Sequence, residues 1–153
     1  MRPGVRLGVD AGKVRVGVAV CDRDGLVATP VVTLSRGAST VGELRGLVDE
    51  YGAVEVVVGL PLSLRGDDTA STADARTLAG ELAKAVAVPI RLVDERLSTV
   101  SAQRALHQAG RSVKASRPMI DQVAAVIILQ NALDFERSAG RPPGTVVDQH
   151  GGR

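Results

Sequence analysis

The chain has 153 residues, enough for one compact domain with a sizeable core. Hydrophobic residues make up 44% and charged residues 24%, but aromatics only 1%, Tyr51 and Phe135 alone, which argues against a module that stacks single-stranded bases on rings. Lys and Arg total 19 against 17 Asp and Glu, so at a net charge of +2 any nucleic-acid binding must come from local clustering.

Val5 to Asp10 reads as a strand and AGKVR as a tight turn. Val14 to Cys21 reads as a second strand, and the polar turn DRDG leads into a third over Leu26 to Leu34. Short Gly- and Asp-containing turns between three apolar runs predict an antiparallel meander. SRGAST ends in an N-cap, and Val41, Leu44, Leu47 and Val48 then recur at helical spacing up to Tyr51. VEVVVGLPL is almost continuously apolar, the pattern of a strand covered on both faces. After the polar SLRGDDTAST, a helix is expected from about Ala73 to Val86, with Leu78, Leu82 and Val86 on one stripe. PIRLVDER predicts a short strand ending in acidic residues, and Thr99 to Ala109 a helix stopped by Gly110. RSVKASRP is a basic loop, and Met119 to Arg137 a long final helix. The order βββ-α-β-α-β-α-α implies an α/β domain over residues 1–137, a mixed sheet with helices on both faces. SAGRPPGTVVDQHGGR has no periodicity, so residues 138–153 are expected to be a disordered tail.

Three carboxylates stand out from this pattern. Asp10 interrupts an apolar run at the end of the first strand, Glu95 ends the last strand, and Asp121 lies near the start of the final helix. In DQVAAVIILQ, Asp121 shares a helical face with Ala124, Ala125 and Ile128, the face expected to pack on the sheet. Converging like charges raise one another's pKa unless a cation holds them ionised. Hard oxygen donors, with few His and Cys, select Mg²⁺ or Mn²⁺ over zinc. Two such ions, about 3.5–4 Å apart, would activate water and stabilise the leaving oxygen of a phosphodiester. Each residue also has a plainer reading. Asp10 could close an Asx-turn with Gly12, Asp94 and Glu95 could pair with Arg91 or Arg96 at the surface, and Asp121 could complement the helix dipole. Their joint placement at the ends of adjoining elements favours a shared site.

Between Arg96 and Ile120 there is no acidic residue, while Arg96, Arg104, Arg111, Lys114, Arg117 and His107 are present. Lys13 and Arg15 follow Asp10 in its turn. Arg15, Arg96, Lys114 and Arg117 are expected to contact phosphate, with Lys13 and Arg111 beside them, and Arg104 reads as solvated. Gly59 and Pro61 are expected to shape the backbone beside the site, and Ser98 and Thr99 to cap a helix. Cys21, the only cysteine, reads as a small core residue, with an intermolecular disulfide as the alternative. No charged-then-apolar leader and no bilayer-length apolar run is evident, so the expected location is cytoplasmic, without membrane contact.

Taken together, GVDAGKVRVGVAV, VVVGLPLSLRG, VDERLSTVSAQRAL and DQVAAVIILQ resemble the YqgF or RuvX family of Holliday junction resolvases and pre-16S rRNA nucleases, in the family's order from Leu7 to Leu133. The resemblance implies a three-layer ribonuclease H-like fold, with a five-stranded mixed sheet whose first three strands are antiparallel. It also implies that Asp10, Glu95 and Asp121 are the catalytic and metal-binding acids of a Mg²⁺- or Mn²⁺-dependent endonuclease. The activity implied is maturation of the 5′ end of pre-16S rRNA, cleavage of four-way DNA junctions, or both. A resolvase that cuts two strands symmetrically needs a homodimer. Two other classes compete. DAGKVRVGVA also resembles the phosphate-gripping hairpin of actin- and Hsp70-type nucleotide-binding proteins, but those need two domains and this chain has room for one. A non-catalytic RNA-binding factor in transcription or ribosome assembly would gain nothing from three repelling carboxylates.

Overall fold

A computed structural model describes residues 2–63, 65–95 and 117–147, with the backbone alone for 117–121. Six strands form one sheet: β1 (Arg6–Ala11), β2 (Arg15–Cys21), β3 (Ala28–Ser35), β4 (Glu55–Leu60), β5 (Ile90–Asp94) and β6 (Thr145–Val146), in the order β3-β2-β1-β4-β5-β6. Among the described residues the helices are α1 (Thr40–Tyr51), α2 (Ala70–Ala85) and α3 (Arg117–Ala139). β1, β2 and β3 pair antiparallel, whereas β4 lies parallel to both β1 and β5. The meander and the mixed sheet are therefore as the patterning predicts. The helix expected over Thr99 to Ala109 lies outside the described residues.

Alternation along the strands divides the core into two layers. Leu7 and Val9 of β1, Val16 and Val18 of β2, and Val56 and Val58 of β4 face α1 and α2, meeting Leu44, Val48, Leu78 and Leu82. On the other face, Ala19, Cys21, Val57 and Val93 meet Ala125, Ile128, Leu129, Ala132 and Leu133 of α3. β4 is buried along its whole length because both layers cover it. Cys21 is buried, and its Sγ accepts the Arg6 N–H at 3.2 Å, which fits the core reading rather than the disulfide.

Two close approaches set the height of α3. A Cβ on Gly8 would stand 2.6 Å from Leu129 Cβ and 2.9 Å from the Ala125 carbonyl oxygen. One on Gly59 would stand 2.5 Å from both Ile128 Cδ1 and Glu95 Oε1. Glycine in a strand here marks where a helix backbone or a functional side chain must come close.

The structure departs from the sequence reading at two boundaries. α2 begins at Ala70 rather than near Ala73, because Thr69 and Thr72 form a reciprocal capping box inside the polar stretch. Residues 138–147, assigned above to a disordered tail, complete α3 and then add the sixth strand to the five expected. Gly144, at φ 64°, turns the chain so that Val146 and Thr145 pair with Arg91 and Leu92. Val147 N–H donates to Ile90 O at 2.8 Å, and Arg91 Nη1 donates to Pro143 O at 3.2 Å. A two-residue strand is too short to show periodicity; its partner is an unpaired sheet edge that only the fold creates.

Candidate functional site

Side chains alternate, so Arg6, Gly8 and Asp10 of β1 share the α3-facing side of the sheet with Glu55, Val57 and Gly59 of β4. Asp10 and the residue just beyond β5, Glu95, thus come to the C-terminal edge of the parallel strands, the end of an open α/β sheet where ligands usually bind. Both are half-buried. Glu95 lies back over Gly59, whose missing Cβ leaves room for Oε1. Burial, and then the charges of Asp10 and Asp94, raise the Glu95 carboxyl to about 7. Asp94 was not singled out as part of this group by the sequence reading.

Asp121 enters through the helix backbone. Ala125 sits over Gly8, while Glu136, farther along α3, reaches Arg2 at the opposite end of the sheet. The N-terminus of α3 is therefore directed toward the Asp10 edge, and residue 121 lies one turn before Ala125. The expected helical face is largely right: Ala125 and Ile128 are buried, while Ala124 is only half-buried. Among the residues whose side chains are described, no three His, Cys, Asp or Glu form a cluster able to hold a metal. The Asp121 side chain lies outside that description.

Lys13 is exposed and Arg15 half-buried in the turn that follows Asp10. Arg96, Arg104, His107, Arg111 and Lys114 fall outside the described residues, as do Ser98 and Thr99, and Arg117 is described only as the first residue of α3. No helix among the described residues is long and apolar enough to cross a membrane.

A second charged group on the same sheet face escaped the sequence reading altogether. Glu55 and Glu136, both buried, share Arg2, which donates from Nη1 and Nη2 to Glu55 at 3.1 Å and from Nη2 to Glu136 at 2.8 Å. Arg91 Nε donates to Glu55 Oε2 at 2.7 Å, and buried Arg6 lies 3.7 Å from Glu55 and 3.6 Å from Glu136. Hydrogen bonding by Arg2 outweighs burial and holds the Glu136 carboxyl down to about 2. The only local signal was alternation, which places Arg6 and Glu55 on the inward side of their strands.

Residues 4–135 match the family model described as RuvX: Holliday junction resolvase. The chain belongs to this family. Similar curated members of similar length carry the name "Putative pre-16S rRNA nuclease". The one from Leifsonia xyli subsp. xyli is 53% identical over 97% of each chain. That from Clavibacter michiganensis is 54% identical over 98% of this chain and 95% of its own. A solved structure titled "T. thermophilus RuvC in complex with Holliday junction substrate" aligns with a TM-score of 0.57 at 16% identity, covering 92% of this chain and 99% of that one. At that identity the likeness speaks for the fold, which is the three-layer ribonuclease H-like arrangement with β6 added.

Proposed function

We propose that this member of the RuvX family is an endonuclease that hydrolyses phosphodiester bonds, with Asp10, Glu95 and Asp121 as its catalytic, metal-holding acids. The observation that carries the reading is the convergence at one sheet edge of Asp10, at the end of β1, and Glu95, seated over Gly59 just beyond β5, where burial and the neighbouring charges of Asp10 and Asp94 raise Glu95 to about 7. A fold gains no stability from such repulsion, and perturbed carboxylates in a cleft mark functional sites. The donor set fits Mg²⁺ or Mn²⁺, being hard oxygen donors that favour ionisation once a cation is shared. Asp10, Glu95 and Asp121 would hold the two ions. When bound, these ions supply Lewis-acid polarisation of a phosphate oxygen and lower the pKa of water.

The protein's own contribution is to present this charge beside cations that hold the backbone of the nucleic acid. Lys13 and Arg15, with Arg96, Arg111, Lys114 and Arg117, are assigned to phosphate oxygens, without base reading. The substrate classes supported by the relatives' names and by the family description are precursor 16S rRNA and four-way DNA junctions. Cutting a junction on two strands would use a homodimer. The enzyme would work in the cytoplasm.

The test is cleavage of a pre-16S rRNA 5′ fragment and of a synthetic four-way junction at matched enzyme concentration, with Mg²⁺ or with chelator. Cutting in Mg²⁺ that stops on chelation is expected, and the preferred substrate names the target. Binding without scission in either divalent ion would instead favour the RNA-binding factor.

A further inference from the structure

The turn between β1 and β2 carries Asp10 on one side and Arg15 on the other, and its geometry is held from outside the site. Arg36, the residue after β3, donates its backbone N–H to Val14 O at 2.8 Å. Its Nη1 donates to Gly12 O at 2.9 Å. One residue thus takes two carbonyls of a turn whose tip, Lys13 and Val14, is otherwise exposed. The turn is tight as well: a Cβ on Gly12 would collide with the carbonyl oxygen of Arg15.

The guanidinium is itself oriented. Nη1 and Nη2 donate to the two carboxylate oxygens of Asp74 in α2, at 2.9 and 3.0 Å. The pair is mostly shielded, with side-chain exposures of 16% for Arg36 and 27% for Asp74, so it is less screened than a surface ion pair. The backbone on either side of Arg36 is held too, because Thr40 Oγ1 donates to Ser35 O at 2.9 Å and accepts from Gly37 N at 2.8 Å. At the far end, Thr72 in the first turn of α2 donates its hydroxyl to Pro61 O. Pro61 follows directly on β4, whose Gly59 forms the floor under Glu95. The first turns of α2 therefore carry polar contacts both to the exit of the Asp10 strand, through Asp74 and Arg36, and to the exit of the strand that supports Glu95, through Thr72, on the side of the sheet away from α3.

We propose that Arg36 and Asp74 are positioning residues for cleavage: together they hold the 12–14 turn so that Asp10 keeps its place opposite Glu95 and Lys13 and Arg15 keep theirs at the rim. A planar fork is required, since one guanidinium meets a carboxylate with two N–H groups and still reaches a carbonyl; a lysine cannot do both. The proposal rests on the nuclease reading above and adds to it two residues that touch neither substrate nor ion.

The test uses the full chain as Arg36→Ala, Arg36→Lys, Asp74→Ala and the double alanine variant. Each alanine variant is expected to lower kcat about 10–100-fold with KM within about threefold, because small misplacements of a reacting group cost rate more than affinity. Arg36→Lys should not restore kcat, and the double variant should be no worse than the poorer single one. Amide hydrogen exchange at residues 12–15 should quicken in all of these variants, while exchange in the α3 core stays as in the wild type. A lower melting temperature with wild-type kcat, measured well below the transition, would make the pair merely structural and overturn the proposal. So would unchanged exchange at residues 12–15. A wild-type chain that cuts neither substrate sinks the nuclease reading instead, and the exchange data then judge the brace alone.

Discussion

The α3-covered side of the sheet carries buried or half-buried carboxylates at both of its ends, and the two ends treat them in opposite ways. At the N-terminal end of the parallel strands, Glu55 and Glu136 are matched by Arg2, Arg6 and Arg91, and Glu136 is held to about 2. At the C-terminal end, Glu95 faces Asp10 and Asp94 and is raised to about 7. Burial pushes both Glu136 and Glu95 up; the neighbours decide the outcome, Arg2 donating to the first while Asp10 and Asp94 add to the rise of the second. One end uses charge to fasten the N-terminal segment, α3 and β5 together; the other gathers like charges, which in the function proposed above would serve a ligand rather than the fold.

The largest effect is expected from breaking the end where like charges gather. Asp10→Asn should lower single-turnover cleavage by roughly 10³-fold or more while substrate affinity, measured by gel shift, changes only a few-fold. Cutting at the wild-type rate would remove Asp10 from the site. At the balanced end, Glu55→Gln leaves buried Arg6 with one carboxylate partner fewer, and a loss of about 3–5 kcal/mol in denaturant unfolding is expected, with cleavage by the folded fraction unchanged.

The two close-approach glycines sharpen the comparison at smaller cost. Gly8→Ala meets helix backbone at Ala125 as well as Leu129 and should lose about 1–3 kcal/mol of stability. Gly59→Ala meets the Glu95 and Ile128 side chains, which can swing away, so cleavage should suffer more than the melting temperature does. If Gly59→Ala cuts normally, Glu95 does not need its resting place over β4.

The smallest effect is a pH dependence. A carboxyl raised in the fold from an ordinary value near 4.5 to about 7 favours folding below 4.5, and that contribution is lost as pH rises through 7. For the metal-free protein this amounts to on the order of 1–2 kcal/mol after allowance for solvent screening. Glu95→Gln should flatten the melting temperature over this window, and Asp10→Asn should raise it near pH 8 by removing repulsion. A fall for Asp10→Asn would make Asp10 a structural hydrogen-bond partner. Mg²⁺ should stabilise the wild type more at pH 8 than at pH 5, where it must displace a proton from Glu95.

Much of the molecule could be read from local pattern. The apolar runs GVRLGVD and KVRVGVAV and the unbroken VEVVVGL mark observed strands, and the last is covered on both faces as its pattern predicts. Asp10 was legible as a charge that interrupts an otherwise apolar run. The Arg2–Glu136 and Arg36–Asp74 pairs were not legible: their members stand 134 and 38 residues apart, and nothing near either partner announces the other.

The sequence by itself determined the first five strands, the helices over Thr40–Tyr51 and, bar their ends, Ala70–Ala85 and Arg117–Ala139, the mixed sheet, and the acids that interrupt its apolar runs, since each of these follows from short-range periodicity and from the cost of burying a charge. Tertiary structure alone decided which carboxylates are neutralised and which repel, and where Thr145–Val146 finds a strand edge. Charge pairing depends on distance through space, and the order of residues along a chain does not encode that distance until the chain has folded.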